Sequence, residues 1–235
     1  MRVIALDSTT RAGSVALVED DRVIDERVGD ASRSHAERLP AEITSLTAAH
    51  GVALADVDLF AVASGPGSFT GLRIGIATMQ GLAFVQRRRV AAVPALDALA
   101  HIVAANEMPG TLVAAWMDAH RRDVFAALYR IGAGPAFGAN RLEVVDAASV
   151  GDPASVVAGW HARSLRPLVF VGDGAAAFAD HIARADSAAA IVPAMPLAGA
   201  IGRLAAAGAV EAVDPAAIRP LYVRRPDAEL AREKL

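Results

Sequence analysis

The stretch SGPGSFTGLRIG, Ser64 to Gly75, joins an apolar run to a helical pattern through a turn punctuated by glycine. Leu59-Phe60-Ala61-Val62-Ala63 before it is short, unbroken and apolar, which predicts a strand covered on both faces. After it, Leu72, Ile76, Met79 and Phe84 recur at roughly helical spacing, and Ser68 or Thr70 stands where it can cap the first turn. Strand, tight loop and helix in this order point backbone amides and the positive end of a helix dipole out of the loop, as in anion-binding loops. The residues fail the specific tests. No lysine follows Gly65 or Gly67 as a Walker loop requires. Gly71 stands one residue too far for a dinucleotide fingerprint, and no acid lies about 20 residues on, around Val85. Ser68, in Gly67-Ser68-Phe69-Thr70-Gly71, lacks the setting of a hydrolase nucleophile. A ligand loop and a purely structural turn that needs glycine's positive φ both stay open.

Working outward, Val3–Leu6, Ser14–Val18 and Arg22–Arg27 read as three antiparallel strands, with turns at Thr10–Gly13 and Glu19–Asp21. Ser34-His35-Ala36-Glu37 is a capping box; Leu39, Ile43 and Leu46 follow on one helical face, and Gly51 stops it. The glycine-loop helix runs to about Val85, Val90–Val93 gives another strand, and Pro94 opens a helix over Leu96–Ala105. In the second half, Leu112–Met117 and Val124–Arg130 read as strand, turn, strand. From Leu197 through Val210 the pattern is helical, followed by a polar, proline-marked end near Tyr222.

The chain repeats itself. Asp7-Ser8-Thr9-Thr10-Arg11 leading to Val15-Ala16-Leu17 aligns without a gap on Asp118-Ala119-His120-Arg121-Arg122 leading to Ala126-Ala127-Leu128. Leu168-Val169-Phe170-Val171 runs into Gly172-Asp173-Gly174-Ala175 as Leu59–Ala63 runs into Ser64-Gly65-Pro66-Gly67.

At 235 residues and 54% apolar, much of it alanine, the chain can bury a sizeable core with closely packed helices. A net charge of −3 gives no global attraction to nucleic acid or anionic membrane, and Arg87-Arg88-Arg89, Arg121-Arg122 and Arg224-Arg225 read as solvated surface clusters, with an RNA footprint as the alternative. Without cysteine there is no disulfide, thiolate nucleophile or thiolate metal site, which fits a reducing cytosol. Asp7 interrupts the first strand too early for a signal peptide, and no run approaches the roughly 18 apolar residues of a membrane span, so a cytoplasmic protein with no membrane partner is expected.

A duplicated hairpin unit with an aspartate closing its first strand resembles the actin, sugar-kinase and heat-shock-chaperone superfamily. More closely, Leu6-Asp7-Ser8-Thr9-Thr10, Ser34-His35-Ala36-Glu37-Arg38-Leu39-Pro40, SGPGSFTGLRIG and Pro220-Leu221-Tyr222-Val223-Arg224 are similar to the TsaB (YeaZ) family. The resemblance implies an α/β fold of two actin-like (ribonuclease-H-like) lobes, each a mixed sheet with flanking helices, the second reduced. The lobes would span residues 1–105 and 106–195, with 196–235 as a final helix and tail packing back on the first lobe. It further implies a subunit of the bacterial machinery that makes threonylcarbamoyladenosine in tRNA, paired through its N-terminal lobe with the catalytic paralogue TsaD. The ATPase TsaE and, indirectly, tRNA join that assembly, and a homodimer in isolation stays open. Catalytic members carry two histidines four residues apart on one helix; here His35, His50, His101, His120, His161 and His181 include no such pair. The resemblance therefore implies no catalysis, metal or cofactor in this subunit, with ATP or ADP and a metal left to the assembled complex.

Two residue sets follow. Leu39, Ile43 and Leu46, with the small face of Gly71, Gly75 and Thr78, are expected at a helix-bundle interface with the partner. Asp7, Ser8, Thr9, Thr10, Arg11, Gly65, Gly67, Asp118, Gly172 and Gly174 mark a vestigial nucleotide or phosphate site, where the aspartates either hold hydrated magnesium or simply accept turn amides. An autonomous ATPase or phosphotransferase built on Asp7 and Asp118 is the alternative function. A peptidase stands behind both, since no zinc motif or activated nucleophile is legible.

Overall fold

The computed structural model describes residues 1–224; Arg225 and the rest of the tail lie outside them. Two mixed sheets carry the chain. The first is ordered β11-β5-β4-β1-β2-β3, from β1 (Arg2–Asp7), β2 (Ser14–Glu19), β3 (Arg22–Val28), β4 (Leu59–Gly65), β5 (Arg89–Pro94) and β11 (Ala212–Val213). The second is ordered β10-β9-β6-β7-β8, from β6 (Leu112–Asp118), β7 (Val124–Ile131), β8 (Leu142–Gly151), β9 (Val169–Val171) and β10 (Ala190–Val192). In each, an antiparallel meander of three strands is flanked by two parallel ones: β1 pairs β2 antiparallel and β4 parallel, as β6 pairs β7 antiparallel and β9 parallel. The repeat seen in the sequence is thus a repeat of topology, and each unit is an actin-like, ribonuclease-H-like lobe.

The pleat divides the hydrophobic residues between two layers. On β1, Val3 and Ala5 face inward toward the second sheet, whereas Ile4 and Leu6 face α1 (His35–Ala49) and α2 (Phe69–Gln86). On β6, Val113, Ala115 and Met117 face inward; Ala114 and Trp116 face outward toward Trp160 on α4 (Pro153–Ala162) and Ile182 on α6 (Ala179–Ala185). Between the sheets lie α3 (Ala95–Ala104) and α7 (Ala198–Ala206), so one continuous core joins both lobes. Small residues make this possible. A Cβ at Gly202 of α7 would lie 2.5 Å from Val18 Cγ2 and 3.2 Å from Ala5 Cβ, so glycine lets the helix rest on the first sheet. The start of α7 is held by side chains of that sheet: Leu197 and Ala198 amides donate to Ser14 Oγ, and the Gly199 amide donates to Glu26 Oε1 at 2.8 Å.

Several elements depart from the sequence expectation. The helix at Leu197–Val210 stops at Ala206, because Gly208 takes φ +67 just past it; the chain then returns to the first sheet as β11. Phe84 is 77% exposed, and Ala83 takes the buried place on α2, since four residues beyond Met79 the 3.6 period favours 83 over 84. β8, α4, α5 (Asp173–Ala177), α6 and β10 were not legible. β8 is a half-exposed edge strand, α4 buries only Pro153, Val157 and Trp160, and the others are short, leaving little periodicity to read. No helix among the described residues is long and apolar enough to cross a membrane.

Behind the lobes, the loop between β7 and β8 is fastened to α3. Arg141 donates from Nε to Ala104 O at 2.9 Å, and Phe137 slides between the His101 ring and the Arg203 guanidinium, 3.8 Å above its face. Burial, and then Arg141, hold the His101 pKa down to about 4. The folded chain therefore keeps His101 neutral, whereas the unfolded chain protonates it near its ordinary value of 6.5. Stability from this group is complete above pH 6.5 and is lost as pH falls toward 4, by roughly 3 kcal/mol. His101→Gln is expected to lose clearly less stability than wild type between pH 7 and pH 4.5 in urea unfolding; equal losses would contradict the assignment.

Candidate functional site

Between the two hairpin turns, Thr9–Arg11 on the first lobe and Asp118–Arg121 on the second, lies a cleft of about 1100 Å³. Its walls also include Pro66–Leu72, Asp173 and the tail residues Tyr222 and Arg224. The structure thus gathers Thr9, Thr10, Arg11, Gly67 and Asp118 at one cleft.

Asp7 points elsewhere. It is 2% exposed, and its Oδ1 accepts the Thr9 amide at 2.8 Å and Thr9 Oγ1 at 2.6 Å, while Oδ2 accepts Thr10 Oγ1 at 3.3 Å. Burial raises its pKa; the Thr9 bonds oppose that rise. Thr10 Oγ1 in turn accepts the Gly13 amide, so the aspartate organises its own turn. On the second lobe, Asp118 lines the cleft half-exposed; its Oδ1 accepts the His120 amide at 2.8 Å, and Oδ2 lies 3.4 Å from His120 Nδ1. Asp173, which the sequence reading passed over in favour of its glycine neighbours, accepts the Asp118 and Gly174 amides and has its pKa raised by burial.

The glycine loop is packed against its own chain. The Ser68 amide donates to Thr9 O at 2.8 Å, and a Cβ at Gly67, where φ is +153, would lie 2.5 Å from Thr9 Cβ. A Cβ at Gly65 would meet Leu221 O at 2.6 Å. Further along, a Cβ at Gly71 would overlap Ser8 O, and one at Gly75 would overlap Ser8 Oγ. These glycines let α2 press on the β1–β2 turn. Gly172 and Gly174 do the same against Trp116 O and Met117 on β6. A magnesium nucleotide held from this side needs a carboxylate oxygen or loop amides turned to the cleft, and Asp7 and the Ser68 amide are spent on the turn. Among the described residues, no three His, Asp or Glu side chains converge as metal ligands.

The expected interface set is corrected. Leu39, Ile43 and Leu46 are buried in the core with Ile4, Leu6 and Phe60; Gly71 and Gly75 face Ser8, and Thr78, half-buried, donates back to Ile74 O. The periodicity found the face of each helix that its own sheet covers. The opposite faces remain outward: Ala36, Pro40, Ala41, Thr44 and Ala48 on α1, and Arg73, Ala77, Gly81, Phe84 and Val85 on α2. At the head of α1, Arg38 is buried, paired with Glu42 at 2.7 Å and donating to His35 Nδ1 and Ala12 O. That bond leaves His35 Nε2 to donate to Thr10 O at 3.1 Å, joining helix and turn, and burial followed by the Arg38 charge depresses the His35 pKa. His35, Arg38, Asp173, Phe69 and Tyr222 each lie inside a motif that the sequence displays, but none of them is a candidate site residue there, because their roles come from partners distant in the chain.

Three comparisons bear on this geometry. A family model described as TsaD, tRNA N6-adenosine threonylcarbamoyltransferase, matches residues 29–231. An uncharacterised protein of Mycobacterium tuberculosis is 34% identical over 97% of this chain and 93% of its own length. The tRNA threonylcarbamoyladenosine biosynthesis protein TsaB of Escherichia coli is 35% identical over 55% of each chain. A crystal structure from Pseudomonas aeruginosa, described as similar to the peptidase YEAZ, has 31% identity and a TM-score of 0.77 over 95% of this chain and 99% of that one.

Ser8 Oγ is buried without a hydrogen-bond partner. Ser8→Ala is expected to be neutral or stabilising, whereas Gly75→Ala should cost about 1–3 kcal/mol through overpacking, and the double variant should recover part of that loss. Thermal unfolding of the four proteins tests the contact, and strictly additive effects would contradict it. Asp7→Ala, which strips the Thr9 amide of its acceptor, should cost about 1–3 kcal/mol in the same measurement.

Proposed function

We propose a function from one premise: this chain belongs to the TsaD family and, within it, to the TsaB (YeaZ) group. It is a non-catalytic subunit of the complex that forms N6-threonylcarbamoyladenosine in tRNA, and it holds a catalytic TsaD paralogue in a competent form. Threonylcarbamoyl transfer then takes place on the partner, with the ATPase TsaE and tRNA docking on the assembled complex, in the cytoplasm.

The observation that carries this reading is the outward face of α1 and α2. Phe84 and Val85 are 77% and 73% exposed, at one end of a stripe whose middle, Ala77 and Gly81, is small. A Cβ at Gly81 would meet nothing within 4 Å, so the chain's own packing gives no reason for glycine in mid-helix, where it costs about 1 kcal/mol relative to alanine. Close approach by a second helix supplies that reason. The printed names of the relatives, TsaB proteins of tRNA threonylcarbamoyladenosine biosynthesis and a threonylcarbamoyltransferase family, support a role in forming that nucleoside. The internal bonds of Asp7 support the absence of catalysis in this subunit.

A second reading, an autonomous ATPase or phosphotransferase, draws on Asp118 and Asp173, which stand together at the cleft. Calorimetric titration with magnesium and ATP separates the two: micromolar binding by the isolated chain, lost on Asp118→Ala, would favour the enzyme.

The docking face is testable without disturbing the core. Phe84→Asp should keep the thermal midpoint of the wild type and Gly81→Arg should match or slightly raise it, while each should reduce affinity for TsaD at least tenfold in co-elution and titration. Gly81→Ala should raise isolated stability by about 1 kcal/mol. Undiminished pairing by both Gly81→Arg and Phe84→Asp would overturn the assignment.

A further inference from the structure

The tail crosses from one lobe to the other. The Leu221 amide donates to Ser64 O at 2.7 Å, at the end of β4. Tyr222 stacks on Phe69, with ring centroids 5.1 Å apart at 29°, and its Oη accepts from Arg73 Nε at 2.9 Å. The Arg73 guanidinium lies 4.0 Å over the Phe69 ring. Two residues on, Arg224 donates to Ala119 O at 2.7 Å and pairs with Asp123 on the second lobe.

Both ends of this strap are attached to something specific. The Ala119–Asp123 turn carries His120, Arg121 and Arg122 at φ of 58°, 56° and 68°, three successive residues in the left-handed region. It is closed by the His120 amide on Asp118 Oδ1 and by paired backbone bonds between Ala119, His120 and Asp123. Arg224 thus anchors to a rigid corner. At the other end, Phe69 and Tyr222 are 43% and 37% exposed, and with Arg73 they head the outward stripe of α2 that continues through Ala77 and Gly81 to Phe84.

We propose that Tyr222 is part of the partner-docking surface, and that Arg224, from across the cleft, is the positioning residue that presents it. This rests on the α1–α2 reading above and extends it. The occupant is a helix of the TsaD paralogue lying along α2, with its end against the Tyr222–Phe69–Arg73 cluster. Tyrosine and arginine held in one geometry before contact are the composition and preorganisation of an interface anchor, since little side-chain freedom is lost on binding. Continuity carries the assignment: the aromatic pair and the exposed α2 stripe are one surface, although Tyr222 and Phe84 are far apart in the chain.

Hydrogen exchange on the isolated chain and paralogue binding kinetics test it together. Arg224→Ala should raise exchange at the Leu221 amide at least tenfold with the global thermal midpoint little changed, and should weaken paralogue binding five- to thirtyfold through faster dissociation. Arg224→Lys should recover part of both effects. Tyr222→Ala should match the affinity loss, and the Arg224→Ala, Tyr222→Ala double variant should lose no more than either alone. Release of the strap with affinity unchanged, or undisturbed exchange in Arg224→Ala, would overturn the proposal. If Phe84→Asp and Gly81→Arg weaken pairing while Tyr222→Ala does not, only the strap proposal fails; if all three leave pairing intact, the α2 reading fails with it.

Discussion

The first lobe depends on a close approach that only glycine allows: the small face of α2 resting on the β1–β2 turn. Gly71 and Gly75 bring the helix to Ser8, the Ser68 amide meets Thr9 O, and Gly67 clears Thr9 Cβ. Any Cβ in that row would lift the helix off the turn. Because α2 sits so low, Ile76, Met79 and Ala83 reach the core beneath it, α1 finds its place alongside, and the outer faces of both helices remain clear. The same closeness turns a loop with the outline of a phosphate site into a packing device.

The two-sheet architecture follows from a similar economy of volume. Alanine and glycine on α3, α7 and the inward faces of β1, β4 and β6 let two sheets share one core with helices between them. Hinged closure of separate lobes is a weak description of such a molecule, since opening would expose the layer in which α3 and α7 are embedded. The tail adds a tether on the cleft side, where Arg224 and Leu221 bind the two lobes across the gap.

Legibility in the sequence tracked the strength of the local signal. The strands of the first lobe, the capping box, the glycine loop and the gapless match of the Asp7 and Asp118 turns were readable because alternation, caps and glycine act over a few residues. The edge strand β8 and the short α5, α6 and β10 were not, since half-exposed or very short elements carry little periodicity. The interface expectation failed for an instructive reason. Apolar periodicity at Leu39, Ile43 and Leu46 identifies a buried face without saying which neighbour buries it, and the chain's own sheet takes it first.

By itself, the amino-acid sequence determined the local grammar: which strongly patterned segments are strands or helices, where turns need glycine, that the chain is duplicated, and which family its motifs resemble. These depend on residues close in the chain. Tertiary structure alone decided where Asp7 points, that Asp173 joins Asp118 at the cleft, that α2 shows Ala77, Gly81 and Phe84 outward, and that Tyr222 stacks on Phe69. Each of these is a choice between partners or faces that local propensity leaves equal. It is settled when packing of the whole chain fixes which backbone can approach which, and which surface is left for another molecule.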